Sequence, residues 1–428
     1  MNQPSNPRQS CLPAIKLARL TSFTATVFLL VHTATAERAA KPWLHHETRM
    51  HLFSPAWRDI GEQTPDQAAK RFEVIYGHLA PEPFHQANPQ CKMIKYMLGP
   101  YTTKGEMAKL PPAAMAHDKD GNVVKARDWL NWLVVPDSKE WIEHVTTMAA
   151  RQFAQGFDGI FTDSMGTAPI EGNYVLTQAI NPNTGKPYDK ISWLAAESKM
   201  AREIRKIIPA NKILTMNGLG QGRRYWTEPE AASPRILLEY YDGTMSEQIW
   251  RQPNRKLTDW PTPQDWMGEI RMIQDVETRG LMGFWWTKCW SDGNTSSHEP
   301  DADKLVPQWR RFALGSYLLA AGPNSYFNFD TVKNDKPRSN AAEYFVEYDA
   351  GAVLGVATGE MQPAGQRGVY FRAFANGFIV VNPTEKTVEG VIPAGAAGRS
   401  FKSWGEACSV KFPATVEAHT GLILTVER

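Results

Sequence analysis

The chain has only 4 cysteines among 428 residues, 47 Lys and Arg against 45 Asp and Glu, and no apolar run of bilayer length. Each shortage excludes something. Counterion release on phosphate binding needs a concentrated basic excess, so nucleic acid is not an expected partner. A membrane-spanning helix needs about 20 apolar residues, so no span is expected in the mature chain. Cys11, Cys91, Cys289 and Cys408 are scattered, and the last three leave at most one pair, so the thiols are read as free or buried rather than as a disulfide framework. There is no repeat of fixed period. H-E-x-x-H, C-x-x-C and G-x-S-x-G are missing, and Gly218-Leu219-Gly220-Gln221-Gly222 lacks the spacing of a phosphate loop. His45, His46 and His51 have no matching carboxylate motif and are read as solvated or hydrogen-bonded. No cofactor and no metal are expected.

What is present begins with an export pattern. Arg8, Lys16 and Arg19 precede the apolar stretch Leu20 to Val31, followed by Ala34-Thr35-Ala36. Cleavage near Ala36 predicts a secreted or periplasmic protein with a slightly acidic mature chain, monomeric or weakly homo-oligomeric. The predicted organisation is a signal peptide at 1–36, a (β/α)8 barrel at 37–338 and a C-terminal β-sandwich at 339–428.

The barrel reading rests on alternation. Short apolar runs predict strands at Met50 to Phe53, Phe72 to Tyr76, Lys92 to Leu98, Gly159 to Thr162, Lys212 to Met216, Arg235 to Glu239, Gly283 to Trp286 and Ser325 to Phe329. Eight is the number a closed barrel needs. Between them lie segments of helical period. One is capped near Asp137 and stopped at Gly156, one opens at Thr262-Pro263 and closes at Gly280, and others run over Ile191 to Ile208 and Leu305 to Ala321. After about Asn340 the period falls to two, and Asn376-Gly377 predicts a tight hairpin within Tyr370 to Asn382.

In such a barrel, reacting groups sit at the carboxyl ends of the strands. Asp163 ends the predicted fourth strand and Glu239 the predicted sixth. Two carboxylates facing one mouth suit glycosidic bond cleavage, one to protonate the leaving oxygen and one to act at the anomeric carbon. Asp158 begins its strand and is read as structural. Of the 15 Trp residues, 14 precede Asn340, and Trp285, Trp286 and Trp290 cluster around Lys288. Sugar rings pack on aromatic faces, so Trp285, Trp286 and Tyr241 are candidate substrate contacts. Asn217, Asn328 and Asp330, near the ends of the fifth and eighth strands, are candidate hydroxyl-binding groups.

Gly156-Phe157-Asp158-Gly159-Ile160-Phe161-Thr162-Asp163, Leu237-Leu238-Glu239, the segment Arg311 to Gly322 and the tail Phe374 to Thr384 together resemble a bacterial glycoside-hydrolase-like (β/α)8 barrel family, akin to the α-galactosidase and endo-α-polygalactosaminidase type of glycosidase. The resemblance spans most of the mature chain. It implies a carbohydrate substrate, a fourth-strand nucleophile at Asp163, a sixth-strand acid/base at Glu239 and a terminal β-sandwich. Asp158-Gly159-Ile160 is also similar to the chitinase signature D-G-x-D-x-D-x-E, but Phe161 and Met165 replace its second Asp and its Glu. The competing expectation is a catalytically silent barrel that binds polysaccharide in the cell envelope. Acyl transfer lacks a nucleophile motif.

Overall fold

The computed structural model describes residues 41–426 apart from 57–58, 228, 253–254, 290–298, 300, 332–342, 366–367 and 406–407. The export segment, Cys11, Trp290 and Asn340 therefore lie outside the described residues. Trp43–Arg428 form one compact unit.

Eight parallel strands follow one another around a single sheet in chain order. They are β1 (Phe53–Ser54), β2 (Val74–Gly77), β3 (Lys92–Leu98), β4 (Gly159–Asp163), β5 (Ile213–Asn217), β6 (Gly243–Ser246), β7 (Met282–Cys289) and β8 (Ser325–Thr331). A parallel bridge between Leu52 and Phe327 joins the last strand to the first. Among the described residues, the α-helices of six or more residues between strands are α1 (Pro65–Arg71), α2 (Glu82–Ala87), α3 (Lys139–Ala154), α4 (Lys190–Ile207), α5 (Gly222–Thr227), α6 (Pro263–Thr278) and α7 (Ala302–Ala320). Local chemistry sets their ends, and capping by a hydroxyl recurs. Thr64 Oγ1 accepts from the Gln67 amide at 3.2 Å ahead of α1. Thr262 Oγ1 accepts from the Asp265 amide at 3.1 Å, and Pro263 fills the first turn of α6, where no donor is needed. In α3 the cap is Ser138 rather than Asp137, its Oγ accepting from Trp141 N at 3.2 Å.

One expected strand is not a strand. Pro234–Glu239 forms a 3-10 helix capped by Ser233, and Glu239 is an exposed residue at its end. Pro234 in the first turn and the Ser233 hydroxyl on Arg235 N favour the tight helix. Leu237 and Leu238 are buried from that helix into the outer layer of the barrel. The sixth strand lies just beyond, in the less apolar Gly243-Thr244-Met245-Ser246.

Two cores follow from strand alternation. Inward residues, including Phe53, Tyr76, Phe161, Met245, Phe284, Trp286 and Tyr326, fill the barrel. Outward residues pack under the helices in the main core. At the amino-terminal end of the sheet, Asp158 is structural as expected, accepting from Met93 N at 2.9 Å and pairing with His85 Nε2 at 2.8 Å.

The carboxyl-terminal part contains β9 (Tyr370–Phe374), β10 (Gly377–Asn382), β11 (Ser400–Ser403), β12 (Ser409–Lys411) and β13 (Thr420–Val426), which with Gln362–Pro363 form a six-stranded antiparallel sheet. A two-stranded antiparallel sheet, Val388–Val391 with Ala414–Val416, completes this part. Ile379, Val381 and Ile423 share the main core with α7. A Cβ on Gly421 would stand 2.2 Å from the Arg311 carbonyl, so this glycine permits the close approach of β13 to the helix. The predicted hairpin is present, with Phe374 paired to Gly377. Its turn is Ala375-Asn376, and neither Asn376 nor Gly377 has a positive φ. Gly377 is needed for space instead, because a Cβ there would meet Leu424 O at 1.9 Å.

His45, His51 and Glu73 meet at the amino-terminal end of the barrel. His51 Nδ1 lies 2.8 Å from one Glu73 oxygen and His45 Nε2 3.0 Å from the other. The two imidazoles stack at 4.2 Å with an 18° tilt. Glu73 thus supplies the carboxylate partner that the sequence did not show, and the three donor atoms lie within 4.8 Å of one another, a spacing that could also hold a metal ion. Burial opposes the Glu73 charge, but the bonds from both histidines outweigh it and lower the carboxyl pKa to about 2. A carboxylate depressed on folding stabilises the fold above its ordinary value of 4.5, and that contribution disappears as pH falls toward about 2. Thermal melts across this window are expected to show a steeper acid loss in the wild type than in Glu73→Gln. Equal slopes would show that the pair carries no linkage.

Candidate active site

The carboxyl end of the barrel is where the interior turns polar. Counting inward by twos from the aromatic layer, Phe161 leads to Asp163, Thr215 to Asn217, Met245 to Glu247, Trp286 to Lys288 and Asn328 to Asp330. These five come from five adjacent strands and converge on one mouth.

Asn217 holds the centre. Its Nδ2 donates to Asp163 Oδ1 at 2.8 Å and to Glu247 Oε1 at 2.7 Å. Tyr96, inward on β3, donates its hydroxyl to Asp163 Oδ2 at 2.6 Å. Lys288 Nζ pairs with Glu247 Oε2 at 2.7 Å and lies 3.6 Å from the centre of the Trp286 ring. Asp330 is in register beside Lys288. Burial and then the Glu247 charge push the Asp163 carboxyl above its ordinary range, against the bonds from Tyr96, Asn217 and the Ser164 amide.

The turn after Asp163 is built to hold it there. Ser164 has φ +61, a left-handed conformation uncommon for a residue with a side chain. The loop is then tied down by Met165 N to Asn217 O at 2.8 Å and by Gly166 N to the buried Glu197 carboxylate at 2.8 Å. A Cβ on Gly218 would lie 2.3 Å from the Met165 carbonyl, so this crossing needs glycine.

A family model described as hypothetical glycosyl hydrolase family 15 matches residues 85–378, which include every member of this cluster. The chain belongs to that family. It is an enzyme of the glycoside hydrolase class. No curated protein matches the chain in sequence. Among solved structures, Bacillus licheniformis trehalose-6-phosphate hydrolase aligns with TM-score 0.50 and 10% identity over 89% of this chain and 99% of its own, which places the fold among barrel glycosidases. Aspergillus fumigatus Ega3 in complex with galactosamine aligns with TM-score 0.43 at 10% identity, over 72% and 98% of the two chains. The glycoside hydrolase domain of PelA from Pseudomonas aeruginosa gives 0.40 at 14%, over 65% and 93%.

The hydrolase places its expected site residues in four groups. Asp163, Asn217 and Asp330 are in the mouth. Glu239 is not, because its 3-10 helix ends before β6 begins, and the carboxylate that follows the sixth strand is Glu247. Trp285, Trp286 and Tyr241 are also not exposed contacts. Trp285 faces outward, is 0% exposed and donates to Ser325 Oγ. Trp286 lines the barrel interior beneath Lys288, and the Tyr241 hydroxyl meets Thr162 in the outer layer. Asn328 is buried one layer below the mouth, its Nδ2 donating to Phe53 O at 2.8 Å.

Sequence reasoning missed Tyr96 and Glu247 and read Lys288 only as the centre of a tryptophan cluster. A signal for Glu247 was available. Gly159 precedes Asp163 by the same step as Gly243 precedes Glu247, and both glycines are inward positions packed against the next strand.

Proposed function

We propose that this glycoside hydrolase is exported and cleaves an oligo- or polysaccharide with retention of anomeric configuration, using Asp163 as nucleophile and Glu247 as general acid/base. The observation that carries this reading is the shared Asn217 amide. Two oxygens held at 2.8 and 2.7 Å from one nitrogen are within about 5.5 Å of each other, the spacing of retaining enzymes. Glu247 would protonate the glycosidic oxygen while Asp163 bonds to the anomeric carbon and the leaving chain departs as an alcohol. Glu247 would then take a proton from water, whose oxygen displaces Asp163 and regenerates the enzyme. Asn217 and Tyr96 would steady the Asp163 oxygens through both steps.

A second reading exchanges the roles. Burial and Glu247 raise the proton affinity of Asp163, and Lys288 balances the charge of Glu247, an arrangement that suits Asp163 as acid and Glu247 as nucleophile. Proton NMR of the first-formed product tests retention, and an inverted product would overturn both readings. Export is supported by the order of residues 1–36. Amino-terminal sequencing of the protein recovered from the periplasm or medium is expected to start near Glu37, and an intact Met1 would count against export.

A further inference from the structure

With Trp285 and Trp286 inside the fold, other aromatic residues must present flat faces to a sugar chain. The segments 99–135 and 164–189 leave the carboxyl ends of β3 and β4, so they stand on the catalytic face. They join each other through an antiparallel bridge between Ala126 and Val175, with Arg127 N bonded to Tyr174 O at 2.9 Å and Leu176 N to Lys125 O at 3.0 Å. Beneath lies a separate small core that includes Tyr101, Val124, Val175 and Trp193. The outer edge is apolar and open, with Trp129 51% exposed and Leu130 75% exposed. Trp129 and Tyr174 lie parallel, 15° apart in plane with centroids 6.4 Å apart. Arg127 braces the turn beneath them, donating to Gly172 O and Val175 O. Burial and then the Glu171 charge raise the Tyr174 phenol.

We propose that Trp129 and Tyr174 form an aromatic platform on the face of the barrel that carries the catalytic pair and bind further units of the substrate, which is therefore a polysaccharide rather than a small glycoside. This rests on the hydrolytic reading above. Two parallel rings, one half-exposed, on segments that leave the carboxyl ends of β3 and β4, suit the flat C–H faces of sugar units, and indole keeps an N–H for hydroxyl groups. Their place on the same face of the barrel as the carboxylates favours a glycan over a second copy of the chain.

Native affinity electrophoresis of the Asp163→Asn enzyme tests the platform. The gels contain galactomannan, glycol chitin, chitosan or polygalacturonate. At least one polymer is expected to retard the protein, and adding Trp129→Ala should weaken that apparent affinity ten-fold or more, with Trp129→Phe restoring most of it. Retardation indifferent to Trp129→Ala, or absent with every polymer, overturns the platform. Aryl glycoside hydrolysis by the wild type without retardation overturns the platform and keeps the two-carboxylate reading. Retardation that needs Trp129, with no hydrolysis by the wild type, keeps the platform and overturns the hydrolytic reading. A dimer in light scattering that Trp129→Ala dissolves reassigns the face to self-association and overturns the proposal.

Discussion

Asp163→Asn is expected to lower kcat/KM on a cleaved glycoside by on the order of 10⁴, and Glu247→Gln by about 10²–10⁴, while Glu239→Gln stays within about two-fold of wild type. The first two remove groups that converge on one amide in the mouth, and the third alters an exposed side chain on a 3-10 helix. Full hydrolysis by both Asp163→Asn and Glu247→Gln would overturn the assignment. Loss in Glu239→Gln alone would return the acid/base to the residue first expected.

Alanine variants at the same two positions separate the two role assignments. The nucleophile's alanine variant leaves space at the anomeric carbon, so added azide should restore turnover and give a glycosyl azide of inverted configuration. An acid/base variant still forms the glycosyl-enzyme with an activated aryl leaving group, and azide then gives a product of retained configuration. Inverted azide from Asp163→Ala supports Asp163 as nucleophile, and inverted azide from Glu247→Ala supports the exchange. The raised proton affinity of Asp163 makes this measurement informative, since position on the strands and electrostatics point to different assignments.

Trp285→Ala is expected to destabilise the enzyme by about 3–5 kcal/mol, the range for deleting a large buried aromatic side chain. Its ring is completely buried, packs over Gly283 and donates to Ser325 Oγ at 3.2 Å. Ser325 Oγ in turn donates to Glu277 at 2.6 Å, so the truncation also removes a partner from a buried polar chain. Denaturant unfolding should show the loss, and KM measured on the folded fraction should stay near wild type. A raised KM with unchanged stability would restore Trp285 as a substrate contact.

Much of the architecture was legible because the barrel imposes it on the chain. The strand Lys92–Leu98 and the helix opened by Thr262-Pro263 are bounded by residues whose local chemistry leaves little choice. The sixth strand was misread because apolar content is a poor guide where two buried segments adjoin. Ile236-Leu237-Leu238 is the more hydrophobic stretch, but Pro234 and the Ser233 cap direct it into a 3-10 helix, while Gly243-Thr244-Met245-Ser246 fits the inner wall. That displacement put Glu239, rather than Glu247, at the end of the expected sixth strand. The tryptophans misled for a related reason. Trp285 and Trp286 point to opposite faces of a strand buried on both sides, and nothing in their clustering says so.

The sequence by itself determined the alternation of strands and helices, the placement of Asp163 and Asn217 at strand ends, and the change to period two in the last quarter of the chain. These are local properties, set by side-chain periodicity, caps and turns. Tertiary structure decided which second carboxylate faces Asp163, which cation accompanies it and which aromatic rings remain open to a ligand. Each of those depends on barrel register, because a shift of one residue along a strand exchanges the lumen for the helical layer. Register is set by contacts between segments far apart in the chain, among them Asn217 with both Asp163 and Glu247, and Lys288 with Glu247.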